Sequence, residues 1–259
     1  MIGIWSVAIP ELSGKTKRKV YIYLPDECKK DPSARYPVLY MFDGHNVFYD
    51  QDATYGKSWG MREYMRRTRT PLIIVAVECD HGKDNARLKE YSPYSFTREG
   101  FGRITGKGDK YMQWLVNKLK PMIDREYPTK PERENTFIAG SSMGGLMSLY
   151  AVLAYNSTFS RAACLSPSVW TNPGRLRNLA RTAEVGEDTV IYMDYGSREM
   201  ANHTDMLSFY SGMVKDLMDR RINVTSRIIP GGTHCEACWE EQIPFFMNTL
   251  LYTRVDTEV

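Results

Sequence analysis

The sequence predicts an α/β protein: a mostly parallel twisted sheet with helices on both faces and an antiparallel strand pair at its start. Three observations predict it. Short runs rich in aliphatic and β-branched residues alternate with helix-like stretches, as parallel strands with helical crossovers require. Several of those runs are apolar throughout, the pattern of strands buried on both faces. One run passes into a helix through Gly-Ser-Ser-Met-Gly, residues 140–144.

Two strands, residues 5–9 and 19–24, open the chain, and the polar turn "ELSGKTKR" between them makes them an antiparallel pair. Six further strands follow: "YPVLYMF" (36–42), "PLIIVAVE" (71–78), "NTFIAG" (135–140), "RAACLS" (161–166), "TVIYMDYG" (189–196) and "NVTSRIIP" (223–230). The clearest helix covers 109–127, where Met112, Leu115, Val116, Leu119, Met122 and Ile123 share one face. Helices are also expected at 59–67, 143–154, 203–220 and 235–250. Residues 79–108 break the rhythm. They are polar, carry five glycines and leave the end of a strand, where sites on parallel sheets gather.

The 259 residues, 42% hydrophobic and 25% charged, describe a globular protein, and without a repeat, linker or composition break they read as one domain, 1–259. A net charge of +3 gives no basis for nucleic-acid binding, and the basic cluster "REYMRRTR" (62–69) reads as the wet face of a helix. Five scattered cysteines do not form a disulfide framework. The start lacks a signal-peptide pattern and no stretch reaches membrane-spanning length, so the expected location is the cytoplasm. The Asn-x-Ser/Thr triplets at Asn156, Asn202 and Asn223 are then chance.

Gly140 to Gly144 fits Gly-x-Ser-x-Gly between a strand and a helix, the setting of a nucleophile elbow. Such a turn lifts Ser142 clear of the sheet at a helix N-terminus, where free amides favour developing negative charge. A serine needs a base, and in this architecture the acid and then the histidine follow the nucleophile. That removes His45 and His81. His203 stands at a helix start, whereas His234 lies in the loop after the last strand, within reach of the elbow. Glu199 is favoured as the carboxylate that orients His234, with Asp205 second and Asp194 inside a strand. The oxyanion donors expected are the amide of Met143 and one from Asp43 to His45, where Gly44 admits close backbone approach.

The segments "YPVLYMFDGHNVF", "RLKEYSPYSF", the stretch from Gly108 to Val152, "DYGSRE" and "GGTHCEACWEEQIPFF" resemble the esterase family of the α/β-hydrolase fold. That family includes feruloyl and acetyl-xylan esterases, siderophore trilactone esterases, S-formylglutathione hydrolase and mycolyltransferases. The resemblance implies Ser142 as nucleophile, His234 as base and Glu199 as orienter, where many members carry Asp. Its Arg-x-x-Glu-Tyr-x-Pro segment matches Arg87, Glu90, Tyr91 and Pro93, which implies a place near the acyl or leaving group. His45 stands where relatives often have another polar residue.

Other signals are weaker. Cys235-Glu-Ala-Cys238 has metal-ligand spacing but no second ligand pair, and "GRITGKG" (102–108) fails the phosphate-loop pattern. Trp59, Trp170 and Trp239 suit an aromatic or sugar pocket as well as core packing, with Trp170 taken as substrate-binding. The expected protein is a serine ester hydrolase without metal or organic cofactor, acting on a small-molecule or oligosaccharide ester. Feruloyl or acetyl esters of plant carbohydrate come first; a siderophore trilactone, or acyl transfer by the same triad, comes second.

Overall fold

The computed structural model describes residues 1–199 and 203–252, so the Asn202 triplet lies outside the described residues. Among the described residues ten strands form: β1 (Ile2–Ala8), β2 (Lys17–Tyr23), β3 (Val38–Met41), β4 (Ile73–Val77), β5 (Phe96–Arg98), β6 (Gly102–Ile104), β7 (Thr136–Ser141), β8 (Arg161–Leu165), β9 (Val190–Gly196) and β10 (Asn223–Ile229). Eight of them make one sheet in the order β1-β2-β4-β3-β7-β8-β9-β10. β1 and β2 are antiparallel to each other, and β2 is antiparallel to β4. From β4 to β10 every neighbouring pair is parallel. This is the fold class the sequence predicts.

Residue chemistry explains the order. β3, β4 and β7 are buried at every position, which their unbroken apolar runs allow only in the middle of a two-sided sheet. β10 carries Asn223, Thr225, Ser226 and Arg227, and these polar residues keep it on the edge. Successive side chains point to opposite faces, so Tyr40 packs into one core with Met147 and Phe159. Leu39 and Met41 pack into the other with Trp59 and Phe246.

The helix expected at 109–127 runs as Gly108–Trp114, a wider π-helical turn Leu115–Leu119, and Lys120–Glu126. Pro121 lacks the amide that would bond Asn117, and its ring would press on that carbonyl; the wider turn relieves both. The helix Met143–Ala154 is buried along nearly its whole length, as its apolar sequence demands. Among the described residues, no helix is long and apolar enough to cross a membrane.

The connection after β4, shapeless in the sequence, has structure. It holds a short helix, Ala86–Glu90, and the hairpin β5–β6, in which Phe96 faces Ile104. Three-residue strands and a five-residue helix are too short to display a hydrophobic period, so pattern reading passes over them.

Candidate active site

Ser142 sits between β7 and the helix Met143–Ala154 with φ 56° and ψ −119°, a conformation costing roughly 1–3 kcal/mol in a non-glycine residue. The surroundings enforce it. Ser142 donates its amide to the Leu165 carbonyl at 2.9 Å, and its own carbonyl accepts from Ser168 and Leu146. A Cβ on Gly140 would stand 2.6 Å from the Gly144 backbone, and one on Gly145 would stand 2.7 Å from the Leu165 carbonyl oxygen. The strand and helix therefore approach more closely than any larger residue permits. Ser142 Oγ lies 3.4 Å from Ser168 Oγ and 2.8 Å from His234 Nε2.

The loops after β9 and β10 bring the next two groups together. The Ser197 amide donates to Ile229 and the Arg198 amide to Gly232, both at 2.9 Å, and the Gly231 amide donates to Ser197 Oγ at 2.8 Å. Stapled in this way, the loops hold His234 Nδ1 3.0 Å from Glu199 Oε2. Glu199 is buried at 2% exposure and accepts the Gly196 amide at 2.8 Å on its other oxygen. That oxygen also accepts a very short bond from Ser166 Oγ, which in turn accepts from Trp239 Nε1 at 2.9 Å. The Trp239 ring stands edge-on to His234 with centroids 5.0 Å apart.

Beneath Glu199 lies Asp194. Burial pushes its carboxyl up to about 7, and the nearby Glu199 charge adds to the effect. It accepts the Ser166 amide at 2.9 Å and lies 3.0 Å from Tyr192 Oη. Asp205 is exposed in the first turn of the helix His203–Asp219, away from this network. Of the acids weighed from sequence, the structure brings Glu199 to the histidine.

The segment after β3 forms the facing wall. Asp43 adopts a left-handed conformation, and Gly44 lies so close to β4 that a Cβ would meet the Ala76 carbonyl oxygen at 2.5 Å. Arg87 grips both Asp43 oxygens at 2.7 Å. Burial pushes the Asp43 carboxyl up, but the Arg87 charge more than offsets this and leaves its pKa below the ordinary value. The Asp43 amide donates to Tyr91 Oη at 3.3 Å.

These contacts correct two expectations. Tyr91 is fully buried, and Glu90, 2% exposed, pairs with Arg18 at 2.6 Å. Neither lines the cleft; both brace the Asp43 segment from behind, because the helix Ala86–Glu90 turns only its Arg87 side towards the opening. Trp170 also stands outside the cleft, on a shelf beyond Ser168. There Phe96 meets it edge-on at 5.8 Å and the Arg98 guanidinium lies 4.4 Å from its ring centre. Ser142, His234, Arg87 and His45 do share a cleft of about 530 Å³.

Sequence reading overlooked Ser166, Ser168 and the Asp43–Arg87 pair. Ser166 had a signal: it follows the apolar run of β8 directly, on the strand beside the elbow. The pair had none, because its members are far apart in sequence. Cys235 and Cys238 form no metal-ligand cluster with His234 among the described residues.

The profile of the family described as "Putative esterase" matches residues 12–245. An uncharacterised protein of Bacillus subtilis, YbbA, is 26% identical over 70% of this chain and 69% of its own length. The ferri-bacillibactin esterase BesA of the same organism is 25% identical, and the match spans 62% of this chain and 58% of that relative. A solved ferulic acid esterase superposes with a TM-score of 0.69 over 96% of both chains at 14% identity, a likeness of fold. With the profile spanning nearly the whole sequence, the chain belongs to this esterase family, on an α/β-hydrolase fold.

Proposed function

We propose that the protein is a serine ester hydrolase working through an acyl-enzyme, with Ser142 as nucleophile, His234 as base and acid, and Glu199 as orienter. The observation that carries this is the unbroken relay Ser142 Oγ–His234 Nε2, 2.8 Å, and His234 Nδ1–Glu199 Oε2, 3.0 Å, at a strained elbow. Glu199 accepts the Nδ1 proton, which leaves the Nε2 lone pair facing the serine hydroxyl. His234 takes the hydroxyl proton as Oγ attacks the ester carbonyl, and returns it to the departing alcohol oxygen. Water then repeats the cycle on the acyl-enzyme and frees the acid.

The tetrahedral oxyanion is assigned to the Met143 amide at the helix start and to an amide of the facing segment. Tyr91 Oη already engages the Asp43 amide, so Gly44 and His45 supply the second donor. One such donor is worth about 3–4 kcal/mol of transition-state stabilisation.

For the substrate, the relationship to BesA favours a siderophore ester. The shelf beyond Ser168 supports an aromatic acyl group: the Arg98 guanidinium lies 4.4 Å from the Trp170 ring centre there. Cations over aromatic faces suit a phenolic or catecholate ring. A feruloyl ester shares that ring, and the ferulic acid esterase likeness favours it as the second reading.

The test is covalent and kinetic. A fluorophosphonate is expected to label the protein at Ser142, and Ser142→Ala to abolish both labelling and p-nitrophenyl acetate turnover without lowering the melting temperature. Turnover that survives in that variant overturns the assignment. A catechol trilactone, methyl ferulate and acetylated xylo-oligosaccharide compared by kcat/KM rank the substrate classes, with the trilactone expected first. Product analysis with an added alcohol separates hydrolysis from acyl transfer.

A further inference from the structure

One cluster in the cleft wall takes no part in the relay. His45, Cys79 and His81 bring one donor atom each to within 4.8 Å of one another. They come from two segments, the turn after β3 and the exit of β4, which lie side by side because β3 and β4 pair in parallel. His45 and Cys79 are buried at 4% and 2% exposure, whereas His81 faces the solvent.

The state of His45 is the telling feature. Its Nε2 lies 3.0 Å from Thr54 Oγ1, and its Nδ1 is buried without a hydrogen-bond partner. A proton on Nε2, donated to Thr54, leaves the Nδ1 lone pair open. An imidazole fixed through one nitrogen with the other unengaged is how proteins prepare a histidine for a metal. A buried polar atom left unpaired is destabilising, which asks for a compensating partner.

The other two donors fit the same role. The Cys79 thiol lies near the Asp43 carboxylate, and His81 Nε2 stands 3.4 Å from Glu78 Oε1. Glu78 would support His81 from behind as a carboxylate supports a ligating histidine. Arg87 pairs with Asp43 and Arg18 with Asp80, which leaves Glu78, beside His81, as the carboxylate in this corner without an arginine partner.

We infer that His45, Cys79 and His81 form a binding site for a zinc-class divalent cation in the wall of the active-site cleft, with a fourth position open to water. Two imidazoles and a thiolate are a borderline-soft donor set, the kind zinc takes in tetrahedral sites. Bond lengths of about 2.0–2.3 Å require the donors to draw roughly 1 Å closer than they stand. His81, half-exposed at the end of a short loop, is free to make that movement. Binding releases the Cys79 proton to solvent, while Asp43 keeps its Arg87 partner. The ion would also hold His45, whose amide stands in the oxyanion segment, so occupancy should slow turnover. That consequence rests on the esterase reading; the binding does not.

The test uses tag-free, metal-stripped protein titrated with Zn²⁺ against a chromophoric chelator, and separately with Co²⁺. One equivalent is expected to bind, and Co²⁺ should give the charge-transfer absorption of a cobalt–thiolate bond. His81→Ala, a solvent-facing change that leaves folding intact, should weaken zinc binding strongly. Thr54→Val should weaken it about 10–100-fold by releasing the imidazole. Cys79→Ser should abolish the cobalt–thiolate band, and the Cys235→Ser/Cys238→Ser variant should keep it. Absence of stoichiometric binding, or binding lost in the Cys235/Cys238 variant but kept in His81→Ala, overturns the site. Equal turnover in loaded and stripped protein overturns the coupling to catalysis. A stripped protein without esterase activity would count against the functional reading, and the titration would still decide the metal site.

Discussion

The two walls of the cleft are held by opposite kinds of chemistry. On the Glu199 wall the carboxylate is fixed by a backbone amide, a serine hydroxyl and His234. On the Asp43 wall the buried carboxylates are paired with cations, Asp43 with Arg87 and Glu90 with Arg18. On the triad reading proposed above, the difference follows from what each wall has to do. A carboxylate meant to stabilise an imidazolium has to keep its charge available, and a permanent guanidinium would neutralise it. A wall that only holds a backbone amide in place can pair its charges off, and the bidentate Arg87–Asp43 contact gives it rigidity.

Breaking the neutral wall should have the largest effect. In Glu199→Gln the oxygen facing the Gly196 amide has to remain an acceptor, because that amide can only donate. The new NH₂ group is therefore driven towards His234 Nδ1. The imidazole then carries its proton on Nε2 and cannot accept one from Ser142. A fall in kcat of about 10³–10⁴ is expected with KM little changed, by analogy with wrong-tautomer variants of other triads. A loss below tenfold in steady-state assays would mean that Ser142 and His234 act as a pair.

Arg87→Leu tests the charged wall and should act on stability first. It leaves the Asp43 carboxylate buried without its cation, a loss of about 3–5 kcal/mol. The Asp43→Asn/Arg87→Leu double variant should recover part of that loss, since no orphaned charge remains. Chemical denaturation of the three proteins checks the sign of the coupling. A double variant less stable than Arg87→Leu would contradict the pairing.

The contrast between the walls also explains what could be read in the sequence. Ser142 was legible because the elbow's demands fall within five consecutive residues, each tied to strand, turn or helix. The eight strands of the main sheet and its mostly parallel character were legible because buried parallel strands need unbroken apolar runs; their order was not. Glu199 and His234 followed from the order of groups along the chain. The charged wall was not legible: Arg18 meets Glu90 across 72 residues and Arg87 meets Asp43 across 44. Nothing local marks such partners, so Glu90 and Tyr91 read as substrate contacts when they are supports. Pattern reading reaches residues whose neighbours in space are neighbours in sequence.

Ser166→Ala should have a smaller effect, and one that falls on the neutral wall alone. It removes one of three bonds to the Glu199 carboxylate and leaves Trp239 Nε1 buried without its acceptor. About 1–3 kcal/mol of stability should be lost. The pH–rate profile should shift modestly as Glu199 gains freedom. An unchanged melting curve would show that water replaces the hydroxyl.

The smallest effect concerns how many negative charges the Glu199 wall carries. Asp194, 1% exposed, has its carboxyl pushed up to about 7 by burial, against about 3.9 when unfolded. Between those values the folded protein holds a proton that the unfolded chain has lost. Its stabilising contribution is thus complete below about 3.9 and is lost as pH rises through about 7, a change on the order of a few kcal/mol. Asp194→Asn resembles the protonated acid, can still accept the Ser166 amide, and removes the titration. The two proteins should be similarly stable at pH 5, and the variant more stable at pH 8, by denaturant titration at each pH. Below about pH 7 the variant's kcat should match the parent's, because Glu199 is then the single charge beneath His234 in both proteins. A variant less stable than the parent at pH 8 would mean that the fold favours the ionised Asp194 carboxyl, and that burial does not raise its pKa above the unfolded value.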